Sequence, residues 1–153
     1  MELDAAKERA ARFGPAELVA QLRETAGSAR RAPLSAPLDP LTDVLVHGQD
    51  IARPLGRVRP MPVDQTVAAI DHVLASAFYG ARQRLKGVRL VATDADWSTD
   101  GSRGRSRGQG PSPSSSDEVR GPLGDLLLLA TGRPAGLTGV SGPGAERLTA
   151  VLS

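Results

Sequence analysis

The sequence predicts an α+β fold, a partial helical bundle followed by a small mixed lobe, and three observations carry that prediction. Up to about residue 85, apolar residues recur at helical spacing. Beyond Lys86-Gly87 the period shortens to that of a strand, with Val88–Thr93 rich in β-branched and apolar residues. The run Leu126–Ala130 is wholly apolar, which asks for burial on several sides. Residues 1–85 therefore read as the helical part. Residues 86–153 read as a small α+β domain with a disordered insertion at 98–116.

Each element has a local reason. Leu3, Ala6, Ala10 and Phe13 mark a first helix, and Gly14-Pro15 ends it and opens a second that carries Leu18, Val19 and Leu22. Gly27 is a suitable C-cap, and the Pro-punctuated run Arg31–Leu38 is a connection. Asp39-Pro40 begins a third helix, with Asp39 as N-cap, and Pro54 marks its end. Its apolar face is expected to hold Leu41, Val44, Leu45, Gly48 and Ala52. Val63, Val67, Ile70, Leu74 and Phe78 share one face of a fourth helix that runs to about Arg84. After the first strand, the Asp94-Ala95-Asp96 turn delivers Trp97. Glu118–Arg120 is a short strand, Leu123 and Leu126–Ala130 form a helix closed by Gly132, Leu137–Val140 is a last strand, and Ala145–Leu152 a last helix.

Composition excludes several classes of function. The chain has 153 residues with no Cys, so it has neither a disulfide framework nor a thiol of its own. No apolar run approaches the ~20 residues of a bilayer span, and the start Met1-Glu2-Leu3-Asp4 lacks the pattern of a secretory signal. These features predict a cytoplasmic protein with no membrane partner. The net charge is +2, and Arg103, Arg105 and Arg107 lie in one stretch without acids, Gly101–Ser116, so the rest of the chain is slightly negative. Aromatics are 3% of the residues, too few for base-stacking platforms. An Arg-Gly segment can contact RNA phosphates, but with three charges and no interleaved rings a solvated loop is the better reading, so nucleic acid is not expected as a partner.

One constellation can carry chemistry. Asp43 and His47 lie about 40° apart on one helix face, a spacing at which a carboxylate and an imidazole can converge on a metal ion. The same spacing also fits an ordinary solvated face opposite an apolar stripe. Asp50, between them and a turn further on, can orient the imidazole or serve other hydrogen bonds near the helix end.

The run Leu41-Thr42-Asp43-Val44-Leu45-Val46-His47-Gly48-Gln49-Asp50-Ile51-Ala52-Arg53-Pro54-Leu55-Gly56 resembles the third-helix signature of the mycothiol-dependent maleylpyruvate isomerase family. In that family the N-terminal part is a DinB-like four-helix bundle. Gly87-Val88-Arg89-Leu90-Val91-Ala92-Thr93-Asp94, Trp97, Glu118-Val119-Arg120-Gly121-Pro122 and Leu126-Leu127-Leu128-Leu129-Ala130-Thr131-Gly132-Arg133-Pro134 resemble its sterol-carrier-like C-terminal domain. Order and spacing match over most of residues 40–150, apart from an insertion at 98–116.

The resemblance implies a divalent metal, usually zinc, held by a His from an earlier helix together with an acidic residue and a His four positions later. Asp43 fills the acidic position, commonly Glu in the family, and His47 the second His position. The family's earlier W-x-x-x-D-x-x-x-H-like segment would lie upstream of Met1, and residues 1–39 contain no His. A truncated gene model, a remnant, or a site completed by another chain would each account for this. His72, the only other His, sits about 200° around its helix from Ile70, away from the apolar stripe. With a complete site, the implied chemistry is thiol activation: the metal-bound mycothiol thiolate adds to the double bond of a maleyl-type substrate, permits rotation, and leaves. Two classes of function follow. One is a metal- and mycothiol-dependent isomerase or thiol transferase acting on a small electrophile. The other is a noncatalytic module holding a small apolar ligand or a partner.

Three further expectations concern single residues. Trp97 reads as a hydrophobic anchor between lobes rather than a cavity wall, and Arg133 as a cation favourably placed at a helix end rather than an anion site. With a bundle helix missing, Leu18, Leu22, Val67 and Ile70 should leave an apolar face uncovered, which predicts a homodimer or poor solubility.

Overall fold

The computed structural model describes residues 2–28, 35–100 and 117–152. They form two compact units, residues 1–35 and 36–153. The RG-rich segment 101–116 lies outside the described residues, and so do Arg31–Leu34 of the expected connection.

The first unit is two helices, α1 (Glu2–Arg12) and α2 (Pro15–Thr25). The Gly14 N–H donates to the Glu17 carboxylate at 2.9 Å, and Pro15 stands where a missing N–H costs nothing. Arg9 donates to Gln21 at 2.9 Å, tying the two helices. No residue of α2 is buried, and Leu22 is 69% exposed.

The second unit begins with α3 (Asp39–Ala52), continued by a tighter turn at Arg53–Leu55 that closes on Gly56 at φ 63°. Then come α4 (Val63–Ala75), α5 (Ala81–Arg84), β1 (Arg89–Ala92), β2 (Glu118–Gly121), α6 (Leu123–Ala130) and α7 (Ala145–Leu152). The class is α+β, as the change of period predicts. β1 and β2 pair in parallel, with Arg89 opposite Glu118 and Ala92 opposite Gly121. Arg89 bridges Asp100 and Glu118, and Glu118 also accepts from Arg120, so the first rung of the ladder is also an ion network. Single antiparallel bridges, Val91 to Ser98 and Arg120 to Ser141, flank the pair.

Leu126, Leu127, Leu128 and Leu129 are all fully buried, the many-sided burial that their composition demands. Around them gather Ile70 and Val73 of α4, Leu90 of β1, Val119 of β2 and Leu148 of α7 in one cluster. At roughly 2 kcal/mol for each buried aliphatic side chain, α6 is the main source of stabilisation. Residue 85, the expected boundary, lies inside this shared core: Leu85 belongs to the same cluster as Ile70 and Leu90. The boundary between compact units falls instead after residue 35. Trp97 is 6% exposed and its Nε1–H donates to Asp71 at 2.9 Å, so it anchors the turn after β1 onto α4.

Four local expectations are corrected. The fourth helix stops at Ala75 rather than near Arg84, because Ser76 turns extended and accepts the N–H of Phe78 on its hydroxyl. Phe78 is therefore 87% exposed instead of on the inner face. Leu137–Val140 is not a strand; Pro134–Gly139 is a 3-10 turn pressed onto α6 so closely that a Cβ at Gly136 would lie 2.5 Å from the Asp125 carbonyl oxygen. The inner face of α3 is Thr42, Leu45, Val46, Gln49 and Ala52, with Val44 57% exposed. Ile70 is fully buried and Val67 partly so, which leaves Val44, Ile51 and Leu55, at 57%, 66% and 65% exposure, as the uncovered apolar residues of α3 and the turn that follows it.

Candidate functional site

The site residues singled out by sequence sit on the outer face of α3. Asp43 and His47 are both exposed, one turn apart. His47 points its Nδ1 at Oδ2 of Asp50, 3.0 Å away. A carboxylate can only accept in such a bond, so Nδ1 is the donor, and Nε2 meets no partner among the described residues. The Asp50 carboxylate also receives Nη2 of Arg133 at 3.4 Å, so the chain of contacts runs from α3 to the end of α6. Arg133 follows Gly132, whose φ of 83° ends α6, and its Nη1 donates to the Thr131 carbonyl at 2.8 Å. Arg133 thus stands at the negative end of a helix dipole, and also beside Asp50. Both roles considered for Asp50, orienting His47 and serving another hydrogen bond, are present together.

His72 does not join this pair. Its side chain is 15% exposed, and its Nε2–H donates to Oδ1 of Asp39 at 2.7 Å. Asp39 accepts also from the Tyr79 hydroxyl at 2.8 Å and from the Ala36 N–H at 2.7 Å. Hydrogen bonds from His72 and then Tyr79 hold the Asp39 carboxyl down at about 2. Burial first, and the Asp39 bond second, push the Tyr79 phenol up to about 12. This cluster was missed because Asp39 reads as a helix cap. In the structure Leu38 is the N-cap, and Asp39 is the first helical residue, turned towards α4.

A second missed feature lies at the other end of α3. Arg53 donates from Nε to Gln49 at 3.1 Å, from Nη1 to the Ala135 carbonyl at 2.8 Å, and from Nη2 to the Asp125 carboxylate. Gln49, 5% exposed, donates from Nε2 to the Arg59 carbonyl at 2.6 Å. Arg59 lies over Gly48 and donates from Nη1 to the Val44 carbonyl at 2.9 Å. A Cβ at position 48 would fall 1.7 Å from that nitrogen, so only glycine admits the contact. No local spacing in the sequence signals these long-range pairs.

Among the described residues, no group of three or more His, Cys, Asp or Glu side chains is placed to hold a metal ion. No described helix is long and apolar enough to cross a membrane. Compared with protein-family models, curated proteins and solved structures, the chain matches none.

Proposed function

We propose that the chain belongs to the mycothiol-dependent maleylpyruvate isomerase family, as a cytoplasmic metal- and mycothiol-dependent isomerase or thiol transferase acting on a small electrophile. The observation that carries this reading is the pair itself: Asp43 and His47 stand one turn apart on the exposed face of α3, with Asp50 holding Nδ1 of His47 so that Nε2 is left for a ligand. Order and spacing of the segments at 41–56, 87–94, 118–122 and 126–134 support the family, with a DinB-like part in the helices and a sterol-carrier-like part after them.

The residues present do not by themselves fit a catalytic zinc, which takes three protein donors and keeps one position open. Among the described residues the donors stop at two. On this reading a third donor comes from outside them, and a second copy of the chain is one source. The exposed Val44 and Ile51 beside the pair suit such a homodimer.

The donor count is also the observation that favours a second reading, a noncatalytic module that keeps the family's fold and holds a small apolar ligand or a partner. Metal content by plasma mass spectrometry separates the two. Near-stoichiometric zinc in the wild type, lost in an identically prepared His47→Ala variant, supports the first reading and calls for thiol-transfer assays. No metal in either protein supports the second.

A further inference from the structure

A cleft of about 310 Å³ opens between the C-terminal end of α3, the loop after Gly56 and the first turn of α6. Neither Asp43 nor His47 lines it, so it is separate from the site described above. Three arginines and two aspartates do line it, which leaves the wall one positive charge in excess. The charges are not equally available. Asp125 is engaged by Arg53, and Asp94 accepts the Leu123 N–H at 2.8 Å, capping α6. Arg59 uses one N–H on the Val44 carbonyl and has no carboxylate partner among the described residues. Arg57 makes no side-chain hydrogen bond or ion pair with any described residue.

The two uncompensated guanidinium groups are carried by a fastened loop rather than a floppy one. The Arg57 N–H donates to the Ala52 carbonyl at 3.0 Å behind the left-handed Gly56, and the Arg59 carbonyl is held by buried Gln49. A fixed backbone lowers the ordering cost of binding. Between the charges the wall is apolar, from Val58, Met61 and Pro122, and Gly124 keeps the floor free of a side chain. The volume is at the low end of small-molecule sites.

We propose that this cleft binds a small organic monoanion, a carboxylate on a short apolar body, with Arg57 as its principal partner and Arg59 as the second. One net positive charge matches a single carboxylate. A dianion would leave one negative charge uncompensated beside Asp94, because Arg53 is already paired with Asp125. The apolar wall accepts the hydrocarbon part.

The test is a heteronuclear NMR titration of the full chain with butyrate and, in parallel, with inorganic phosphate at pH 8, where phosphate is mainly the dianion. Butyrate is expected to shift the Arg57, Arg59 and Gly124 amides saturably, and more tightly than phosphate does. Arg57→Gln, at an exposed and unpaired position, keeps the dispersed spectrum and weakens butyrate binding about tenfold, the loss of one charge-assisted contact. Arg23→Gln, a control in α2 that does not line the cleft, leaves it unchanged. Shifts that fail to saturate, that spread equally over surface arginines, or that persist in Arg57→Gln overturn the proposal. Phosphate binding more tightly than butyrate overturns the monoanion class.

Discussion

The two faces of α3 carry similar mixtures of polar and apolar side chains, yet one is closed and the other open. On the inner face, Thr42 donates to the Leu38 carbonyl and Gln49 engages both Arg53 and Arg59, so its polar atoms are paired between Leu45, Val46 and Ala52. On the outer face Asp43, Val44, His47, Asp50 and Ile51 are all exposed. The lesson is that composition does not separate a closed face from an open one. The separation lies in whether other elements pack over the side chains: the inner residues are buried and the outer ones exposed. The two histidines repeat the contrast: His72 is shielded beside Asp39 and Tyr79, whereas the side chain of His47 is 60% exposed beside Asp50.

The contrast can be broken most forcefully from inside. Leu45→Ala removes a side chain that is 4% exposed, and is expected to cost about 2–4 kcal/mol in urea unfolding, the loss of transfer energy plus a cavity. Next, Asp125→Ala leaves Arg53 without its carboxylate at a largely buried contact. We expect a loss of about 2 kcal/mol, reduced from the fully buried case because Arg53 is 31% exposed. Asp125→Asn, which keeps the acceptor oxygen, should lose less.

A smaller effect appears in the pH dependence. Asp39 is held at about 2, below its unfolded value, so its contribution is complete above pH ~4 and fades as the pH falls from there towards 2. Tyr79 has the opposite sign: raised to about 12, it contributes below pH ~10 and loses that contribution as the pH climbs towards 12. Asp39→Asn should flatten the acid limb of a stability profile and Tyr79→Phe the alkaline limb. Equal limbs in variant and wild type would show that the cluster is not formed in solution. The smallest expected change in stability, within ~0.5 kcal/mol, belongs to His47→Ala on the open face, measured by the same urea titration. A large loss there would make His47 a structural residue and erase the difference between the faces.

Much of this was legible in the sequence, for reasons that also explain the failures. The all-apolar run of α6 admits only an interior position, and the sequence places it correctly. The shift from helical to strand period after Gly87 likewise appears as β1. The inner face of α3 was misread because periodicity ranks residues by polarity. It cannot see that Gln49 is drawn inward by Arg59 and Arg53, partners fixed only when the loop folds back. The overlong fourth helix and the misassigned Leu137–Val140 have a shared cause: Ser76 and the glycines at 136 and 139 act through contacts that only the folded chain supplies. Of the candidate site, the Asp43–His47 spacing and the Asp50 contact were readable locally. The clusters around Asp39 and Arg53 join residues far apart in sequence and were not.

Gly48 gives position 48 an unusual standing. Alanine in a helix interior is favoured over glycine by about 1 kcal/mol, while displacing Arg59 from the Val44 carbonyl forfeits a bond of about the same size. The two changes nearly cancel, so a screen that scores only melting temperature would pass Gly48→Ala as silent. The loop that carries Arg57 and Arg59 would meanwhile have lost one of its three tethers to α3. Tolerance to substitution, judged by stability alone, would here conceal a change in the shape of the surface.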